Sequence, residues 1–466
     1  MNDVTVVILA AGLGTRMKSS KAKVLHEAGG DTLLSHVLRA ALKVAAPEQV
    51  FVVVGHQAEQ VKASVTVPGI QFAEQPQQRG TGHALLCARE AGADGGETLL
   101  ILNGDGPLLR AETVVNLLGL QKERHEGGCI VTTELTDPTG YGRVKRTESG
   151  RVGAVVEQKA GKPEELKIRE INTGVYAFNA PAFWQHIDEM TPNQAANEFY
   201  LTDMIEILSR HGHAISPFLV EDQTELLGIN TRAELAVADR ILRARKNMEL
   251  MLSGVTIESP ESVLVDVNAT VGADTLIGAN VQLRGATRVG ANCRIGAGSI
   301  LRNCVIDDNA DILPYVVAQD TRIGKGAFIG PFARLRQKAD VGPDVHIGNF
   351  VELKNTTMAA GAKANHLAYL GDSTVGEKTN VGAGTITCNY DGVNKNRTEI
   401  EKNVFVGSNS TLIAPVRLGA GSYVAAGSVI TSDVEADALA IGRSRQENRP
   451  EWAKRRRAAM QGLKKL

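Results

Sequence analysis

Hydrophobic positions follow two different rules along this chain, and the change falls near residue 230. Before it, short apolar runs stand at Val4–Leu9, Val50–Val54 and Leu99–Leu102, the first entering Ala-Ala-Gly and the others closely followed by Gly. Runs of this length, closed by turn residues, predict buried strands. Stretches such as Leu33–Val44 and Thr81–Ala91 between them have helical character. Strands alternating with helices predict a mainly parallel sheet covered on both faces, with ligands beyond the carboxyl ends of the strands. Thr231-Arg-Ala-Glu234 then has capping-box spacing, and Leu235, Ala238, Leu242, Met248, Met251 and Leu252 follow at near-helical intervals. That pattern predicts a connecting helix.

From about residue 255 the period becomes six. Val265, Val271, Ile277, Leu283, Val289, Ile295 and Leu301 recur without interruption, with Gly following at 272, 278, 290 and 296. The phase slips, then recovers through Ile323, Ile329, Leu335, Val341, Ile347 and Leu353, at Val375 and Val381, and again from Val406 to Ile430. A period of six fits neither helix nor ordinary strand; it predicts hexapeptide coils, each hexad a short strand with one aliphatic inward and a small residue turning the corner. Three hexads close one triangular coil, and coils stack at the strand spacing of about 4.8 Å. Residues 388–400 break the period and read as a loop ejected from the coils, a feature that tends to mark the binding face. The last stretch, Trp452–Leu466, holds six Lys/Arg and no acid; a solvated basic tail and a contact for an anionic ligand both fit. The expected domains are residues 1–229, a linker helix at 230–253, and the coils with their tail at 254–466.

Composition agrees with the second rule. The chain has 48 glycines against only 10 Phe, 7 Tyr and 2 Trp, as a narrow aliphatic column with many tight corners requires. Charge is balanced at −1, which excludes a global basic field for nucleic acid, and 43% hydrophobic content excludes a largely disordered chain. Five scattered cysteines without a short-spaced pair read as reduced thiols. With no signal-peptide pattern and no apolar run near the ~20 residues of a membrane span, the expectation is a soluble cytoplasmic protein.

Leu9-Ala-Ala-Gly12-Leu-Gly14-Thr15-Arg16-Met17 lies between a strand and an expected helix, where small residues let backbone N–H groups approach a triphosphate. Arg16 and Lys23 can neutralise charge that builds on a departing pyrophosphate. Asp105 ends an apolar strand at the ligand rim, and Mg²⁺ prefers one or two protein oxygens beside phosphate and water.

This phrase, with Lys23-Val-Leu-His26, Gln75, Gly80-Thr81-Gly82-His83-Ala84 and Asn103-Gly104-Asp105, resembles the sugar-nucleotide pyrophosphorylases. Gly140-Tyr141-Gly142-Arg143, Glu157, Glu170-Ile-Asn172-Thr-Gly174, Glu198-Phe-Tyr200-Leu-Thr202-Asp203 and Gly228-Ile-Asn230 continue the match. Together with the hexads, the chain resembles the bifunctional N-acetylglucosamine-1-phosphate uridylyltransferase/glucosamine-1-phosphate N-acetyltransferase family over nearly its full length. The resemblance implies an α/β plus all-β protein. It would have a Rossmann-like nucleotide-diphospho-sugar transferase domain, a linker helix and a left-handed parallel β-helix. It also implies a homotrimer with the second site built between neighbours, and no nucleic-acid or membrane partner.

For the first site the resemblance implies that Leu9, Ala10, Ala11, Gly12, Lys23, Gln75, Gly80 and Thr81 hold the uridine nucleotide. Arg16, Asn103 and Gly104 belong to the same site. Asp105 and Asn230 would hold Mg²⁺, and Gly142, Glu157 and Asn172 the amino sugar. The implied reaction is in-line attack of N-acetylglucosamine-1-phosphate on the α-phosphorus of UTP, releasing pyrophosphate. The substrate phosphate is already ionised, so positioning and charge neutralisation carry the rate. Leu13, Ala22, Asp31 and Gly106 depart from the usual family residues in or near the nucleotide loop.

For the second site, the phrases Gly330-Pro-Phe-Ala-Arg334-Leu-Arg336, Gly348-Asn349-Phe-Val-Glu-Leu-Lys354, Gly361–Asp372 and Asn380–Gly392 carry the resemblance. It implies His366 as general base on the glucosamine-1-phosphate amine as that amine attacks the acetyl-CoA thioester; an imidazole suits this near neutrality. Arg336 and Lys354 would bind the sugar phosphate, and Tyr369 and Asn380 the sugar. Ala383, Asn389, Tyr390, Ser408, Ala426 and Arg443 would line the acetyl-CoA site. Gln337 replaces a usual Pro. The product would supply peptidoglycan and lipopolysaccharide precursors. Two other readings stay open on the residues: a single-activity nucleotidyltransferase whose hexads only oligomerise or regulate, and an inert scaffold beside a nucleotide sensor. A zinc site needing three histidines is excluded in the coils, since only His346 and His366 follow residue 230.

Overall fold

The computed structural model describes residues 3–159, 161–193 and 197–463. By compactness the chain forms two units: Met1–Met248 with Val265–Asn268, and Glu249–Leu264 with Ala269–Leu466. Most of the connecting helix, Arg232–Leu252, falls in the first unit, which ends at Met248.

The first unit is built on strands β1 (Val4–Leu9), β2 (Val50–Val54), β3 (Gln71–Glu74), β4 (Thr98–Asn103), β5 (Gly128–Glu134), β6 (Arg143–Arg146), β7 (Val152–Val156), β8 (Glu170–Asn179) and β9 (Ile215–Leu219). The path across the sheet is β9-β5-β8-β4-β1-β2-β3, with β6 pairing β8 and β7. Strands β4, β1, β2 and β3 are parallel, as their alternation with helices predicts. Strand β8 runs antiparallel to both β4 and β5, so the sheet is mixed. The reason is local: among the described residues no helix longer than a single turn lies between 128 and 179, and strands without crossover helices return antiparallel. Alternate residues of the central strands enter opposite cores: Val7, Val53, Leu99 and Ile101 on one face, and Val6, Ile8, Val52, Leu100 and Leu102 on the other.

The expected capping box forms, with Glu234 Oε2 accepting from Thr231 N at 2.8 Å and Thr231 Oγ1 from Glu234 N at 3.2 Å. The buried stripe of this helix differs from the apolar reading. Ala238 and Leu242 are buried, while Met248 and Leu252 face solvent and Arg243 is buried. Arg243 is held by Asp239 at 2.9 Å and by the buried Asp266 at 2.7 Å, and that ion pair turns the inward face.

The second unit is three parallel sheets of 11, 10 and 9 short strands, each strand pairing with the one a coil later. Registers such as Ile277↔Ile295 and Leu283↔Leu301 are 18 residues apart, three hexads, while Ile295↔Ile312 spans 17 where the phase slips. Ile277, Leu283, Ile295, Leu301, Ile312, Ile323, Ile329, Val341, Ile347 and Leu353 fill the column. Glycines 272, 278, 290 and 296 do not turn corners: none has positive φ. Each instead lies under the next coil, where a Cβ on Gly290 would meet Asp308 N at 2.7 Å and one on Gly296 would meet Pro314 N at 2.5 Å. The left-handed corners are taken largely by Asn and Asp, including Asp274, Asn280, Asn292 and Asn309. A buried hydroxyl ladder joins the aliphatics. Thr275 Oγ1, for example, donates to Gly290 O at 2.9 Å and accepts from Cys293 N at 3.1 Å. Residues 389–397 leave the coils between strands Ile386–Cys388 and Thr398–Ile400. The tail forms an exposed helix, Trp452–Leu463, and its last residues, 464–466, lie outside those described.

Candidate functional site

Beyond the carboxyl ends of β1 and β4 lies a cleft of about 450 Å³. Its lining includes Leu9, Ala10, Ala11, Gly12, Lys23, Gln75, Gly80, Thr81, Asn103 and Asp105, ten of the expected residues. A Cβ on Gly12 would meet nothing within 4 Å, so the loop backbone is open to a ligand. Gln75 Nε2 donates to Gly80 O at 3.0 Å, which ties the strand β3 exit to the start of helix Thr81–Glu90. Gly104 N donates to Leu9 O at 2.9 Å, which ties the exits of β1 and β4 together. Gln78 and Glu198 also line the cleft; Glu198 opens one of the phrases that carry the resemblance, whereas no motif points to Gln78.

Lys23 Nζ is ion-paired to Asp105 Oδ2 and lies 3.2 Å from Asn230 Oδ1, which also accepts from Arg16 Nη2 at 2.8 Å. One ammonium thus reaches both the carboxylate and the amide oxygen. Two convergent hard oxygens are a donor set that fits Mg²⁺. Gly142, Glu157 and Asn172 form a second group. Asn172 N donates to Gly142 O at 2.9 Å, and a Cβ on Gly142 would lie 3.6 Å from Glu157 Oε1. Burial pushes the Glu157 carboxyl above its ordinary value, against a hydrogen bond from Thr202. Asn103 links the groups, its Nδ2 donating to Thr173 O at 3.1 Å. Among the departures, Ala22 supplies an N–H that a proline lacks, and it donates to Gln57 Oε1 at 2.7 Å. Asp31 pairs with Arg39, and Leu13 sits exposed on the cleft lip.

On the coils, a separate cleft of about 470 Å³ gathers Arg334, Arg336, Lys338, Lys354 and Lys395 around one acid, Asp372. Lys395 comes from the ejected loop and is a cation the sequence reading missed. Burial pushes Asp372 up, but hydrogen bonds from Asn355 and Asn389 and the charges of Lys354 and Lys395 outweigh it and hold the carboxyl below its usual range. Asn389 Nδ2 donates to Asp372 Oδ2, which fixes the root of the loop.

His366 ends the strand Lys363–His366 and faces outward, while Ala364 points into the column. Its Nδ1 lies 2.9 Å from Asn349 Oδ1, directly one coil below. An amide oxygen only accepts, so Nδ1 carries the proton and the Nε2 lone pair is free. Tyr369 begins the next face, opposite Glu352, which pairs with Arg336 at 2.9 Å. Asn380 stands above Lys363. His366, Tyr369 and Asn380 do not line the cationic cleft. Ala383, Ser408, Ala426 and Arg443 rise coil by coil along one edge: Asn409 N donates to Ala383 O, Gly427 N to Ser408 O, and Arg443 Nη1 to Ala426 O at 2.6 Å. Tyr390 is exposed on the loop.

The MobA-like NTP transferase domain matches residues 6–166. The GMPPB C-terminal domain matches 259–332, the bacterial transferase hexapeptide (six repeats) 320–355, and the hexapeptide repeat of succinyl-transferase 397–432. The curated Bifunctional protein GlmU of Solibacter usitatus is 53% identical over 456 residues, covering 97% of each chain. The GlmU of Koribacter versatilis is 47% identical over the same shares. This chain belongs to the GlmU family. As a GlmU-family protein it is a transferase with two activities, nucleotidyl transfer in the α/β unit and acetyl transfer in the left-handed hexapeptide β-helix.

Proposed function

We propose that this GlmU-family chain makes UDP-N-acetylglucosamine in two steps, acetylating glucosamine-1-phosphate and then uridylylating the product, as a soluble cytoplasmic homotrimer. The observation that carries the reading is the presence, in one chain, of a glycine-lined cleft floored by Asp105 and an outward imidazole tautomerised by Asn349.

In the acetyl step, His366 Nε2 takes the proton from the substrate amine as it attacks the thioester carbonyl of acetyl-CoA. The C–S bond breaks and CoA leaves as the thiolate. Arg336 and Lys354, with Lys395, hold the sugar phosphate; Tyr369 and Asn380 orient the sugar. Ala383, Asn389, Tyr390, Ser408, Ala426 and Arg443 give the acyl donor an edge to lie on. The stacked rings of Tyr315, Phe332 and Phe350, 5.2 and 5.5 Å apart and exposed, support assembly with further copies.

In the uridylyl step, the backbone of residues 9–12 with Gln75, Gly80 and Thr81 receives the nucleotide, and Gly142, Glu157 and Asn172 the sugar. Asp105 and Asn230 are the residues that would hold Mg²⁺, which supplies charge neutralisation on the phosphates. Lys23 and Arg16 add positive charge beside the leaving pyrophosphate.

The test feeds purified full chain glucosamine-1-phosphate, acetyl-CoA, UTP and Mg²⁺, and measures CoA and pyrophosphate separately. His366→Ala should lose CoA release by about 10²–10⁴-fold yet still release pyrophosphate from N-acetylglucosamine-1-phosphate. A wild-type protein that releases pyrophosphate but never CoA sinks the first half of the proposal.

A further inference from the structure

Helix Ala180–His186 ends in a histidine, the next turn, Ile187–Glu189, ends in a glutamate, and helix Asp203–Arg210 is followed at once by His211. The three side chains converge. Glu189 Oε1 lies 2.7 Å from His186 Nδ1 and 2.9 Å from His211 Nε2, and one donor atom from each residue falls within 4.8 Å of the others. The two imidazoles stack with centroids 3.8 Å apart and 17° between planes. A third ring, His213, stands 6.0 Å from His186. His186 is buried, whereas Glu189 and His211 are about 40% exposed, so one side of the group is anchored and the other open to solvent.

We propose that His186, Glu189 and His211 form a binding site for a borderline divalent transition ion of the Zn²⁺ class, outside the lining of both transferase clefts. Two imidazole nitrogens and one carboxylate oxygen are a known three-protein-ligand set for zinc, with the fourth position left to water. Imidazole donors favour Zn²⁺ and its neighbours over Mg²⁺ and Ca²⁺. Tetrahedral bonds of about 2.0–2.1 Å place donor atoms roughly 3.3 Å apart. The present 2.7 and 2.9 Å therefore need to widen by about half an ångström. Torsions of the exposed Glu189 and His211 side chains supply that, and turning the His211 ring out of its stack on His186 lets the two in-plane lone pairs converge.

The site would act as a clamp. Its ligands bracket the segment that carries Met190, Phe199 and Leu201. Phe199 O accepts from Gly82 N at 2.8 Å, and Leu201 N donates to Thr81 Oγ1 at 3.1 Å. A metal joining His186 and Glu189 to His211 would fix Phe199 and Leu201 against the start of the helix Thr81–Glu90.

The probe is Zn²⁺, with Co²⁺ as its spectroscopic stand-in, added to tag-free full chain freed of metal by chelator and held in millimolar Mg²⁺. Wild type should take up a single equivalent in competition with a chromophoric chelator, give the intense visible bands of tetrahedral Co²⁺, and melt several degrees higher with zinc. His211→Ala, an exposed substitution, should lose all three while keeping its zinc-free melting temperature. Glu189→Gln, of the same shape, should weaken uptake by at least about tenfold. Equal uptake by wild type and His211→Ala, or no uptake by wild type at micromolar zinc, overturns the proposal. None of these readouts depends on either transferase activity.

Discussion

At the scale of single residues, the Asn349–His366 contact is the most consequential, because it decides which ring nitrogen is basic. Asn349→Ala removes the acceptor that holds the Nδ1–H tautomer, and kcat for acetyl transfer should fall by about 10–100-fold with KM little changed. Asn349→Asp replaces a neutral partner by an anion, which favours the imidazolium. The acidic limb of the pH–rate profile should then move to higher pH, and an unmoved limb argues against His366 as the base. Asp372 gives a second pH signature. Its native pKa lies below the ordinary 3.8, so its ionisation stabilises the fold at neutral pH, and that contribution is lost as pH falls through the native value. Asp372→Asn should lower stability at pH 7, since one of the two amide donors, Asn355 or Asn389, then faces an NH₂ in place of an oxygen and the attraction to Lys354 and Lys395 is lost, and should flatten the acid limb of a denaturation series.

At the scale of elements, coil contacts turn small changes into site damage. A Cβ on Gly348 would lie 1.8 Å from Asn365 O in the adjoining coil. Gly348→Ala should therefore spread the two strands that bear Asn349 and His366, and acetyl transfer should drop while pyrophosphate release persists. Leu353→Ala leaves a void in the column and should cost about 2–5 kcal/mol by chemical denaturation. The aliphatic period made this architecture readable, because one inward side chain per hexad is dictated by geometry. The role of Gly290 and Gly296 was not readable: a glycine that turns a corner and one that lies under a neighbouring backbone look alike in sequence. The antiparallel β8 was hidden for a related reason, since local pattern marks a strand but not its direction. The nucleotide loop was legible from its dense small residues. Lys395 was not, nor was the pairing of Asn349 with His366, because these partners lie on other coils or beyond a loop.

At the scale of the whole molecule, the two chemistries rest on separate compact units, and variants should separate them. Asp105→Asn should abolish most pyrophosphate release yet leave CoA release near wild type, the mirror image of His366→Ala. The thiols give a check on the fold itself. All five cysteines are free, and burial pushes Cys129 up to about 12 and Cys304 up to about 11, while only Cys388 is not fully buried. Ellman's reagent on native protein at pH 8 should react first with one thiol per chain, the rest following only on unfolding. Finally, residues 265–268 lie beyond the connecting helix in sequence yet belong to the α/β unit, where Asp266 answers the buried Arg243. Severing the gene after codon 253 would leave that guanidinium with Asp239 alone and remove its buried partner, so the shortened unit should melt lower than one that keeps residues 254–268. Any evolutionary shuffling or laboratory dissection of the uridylyl half must therefore carry this four-residue stitch along with it.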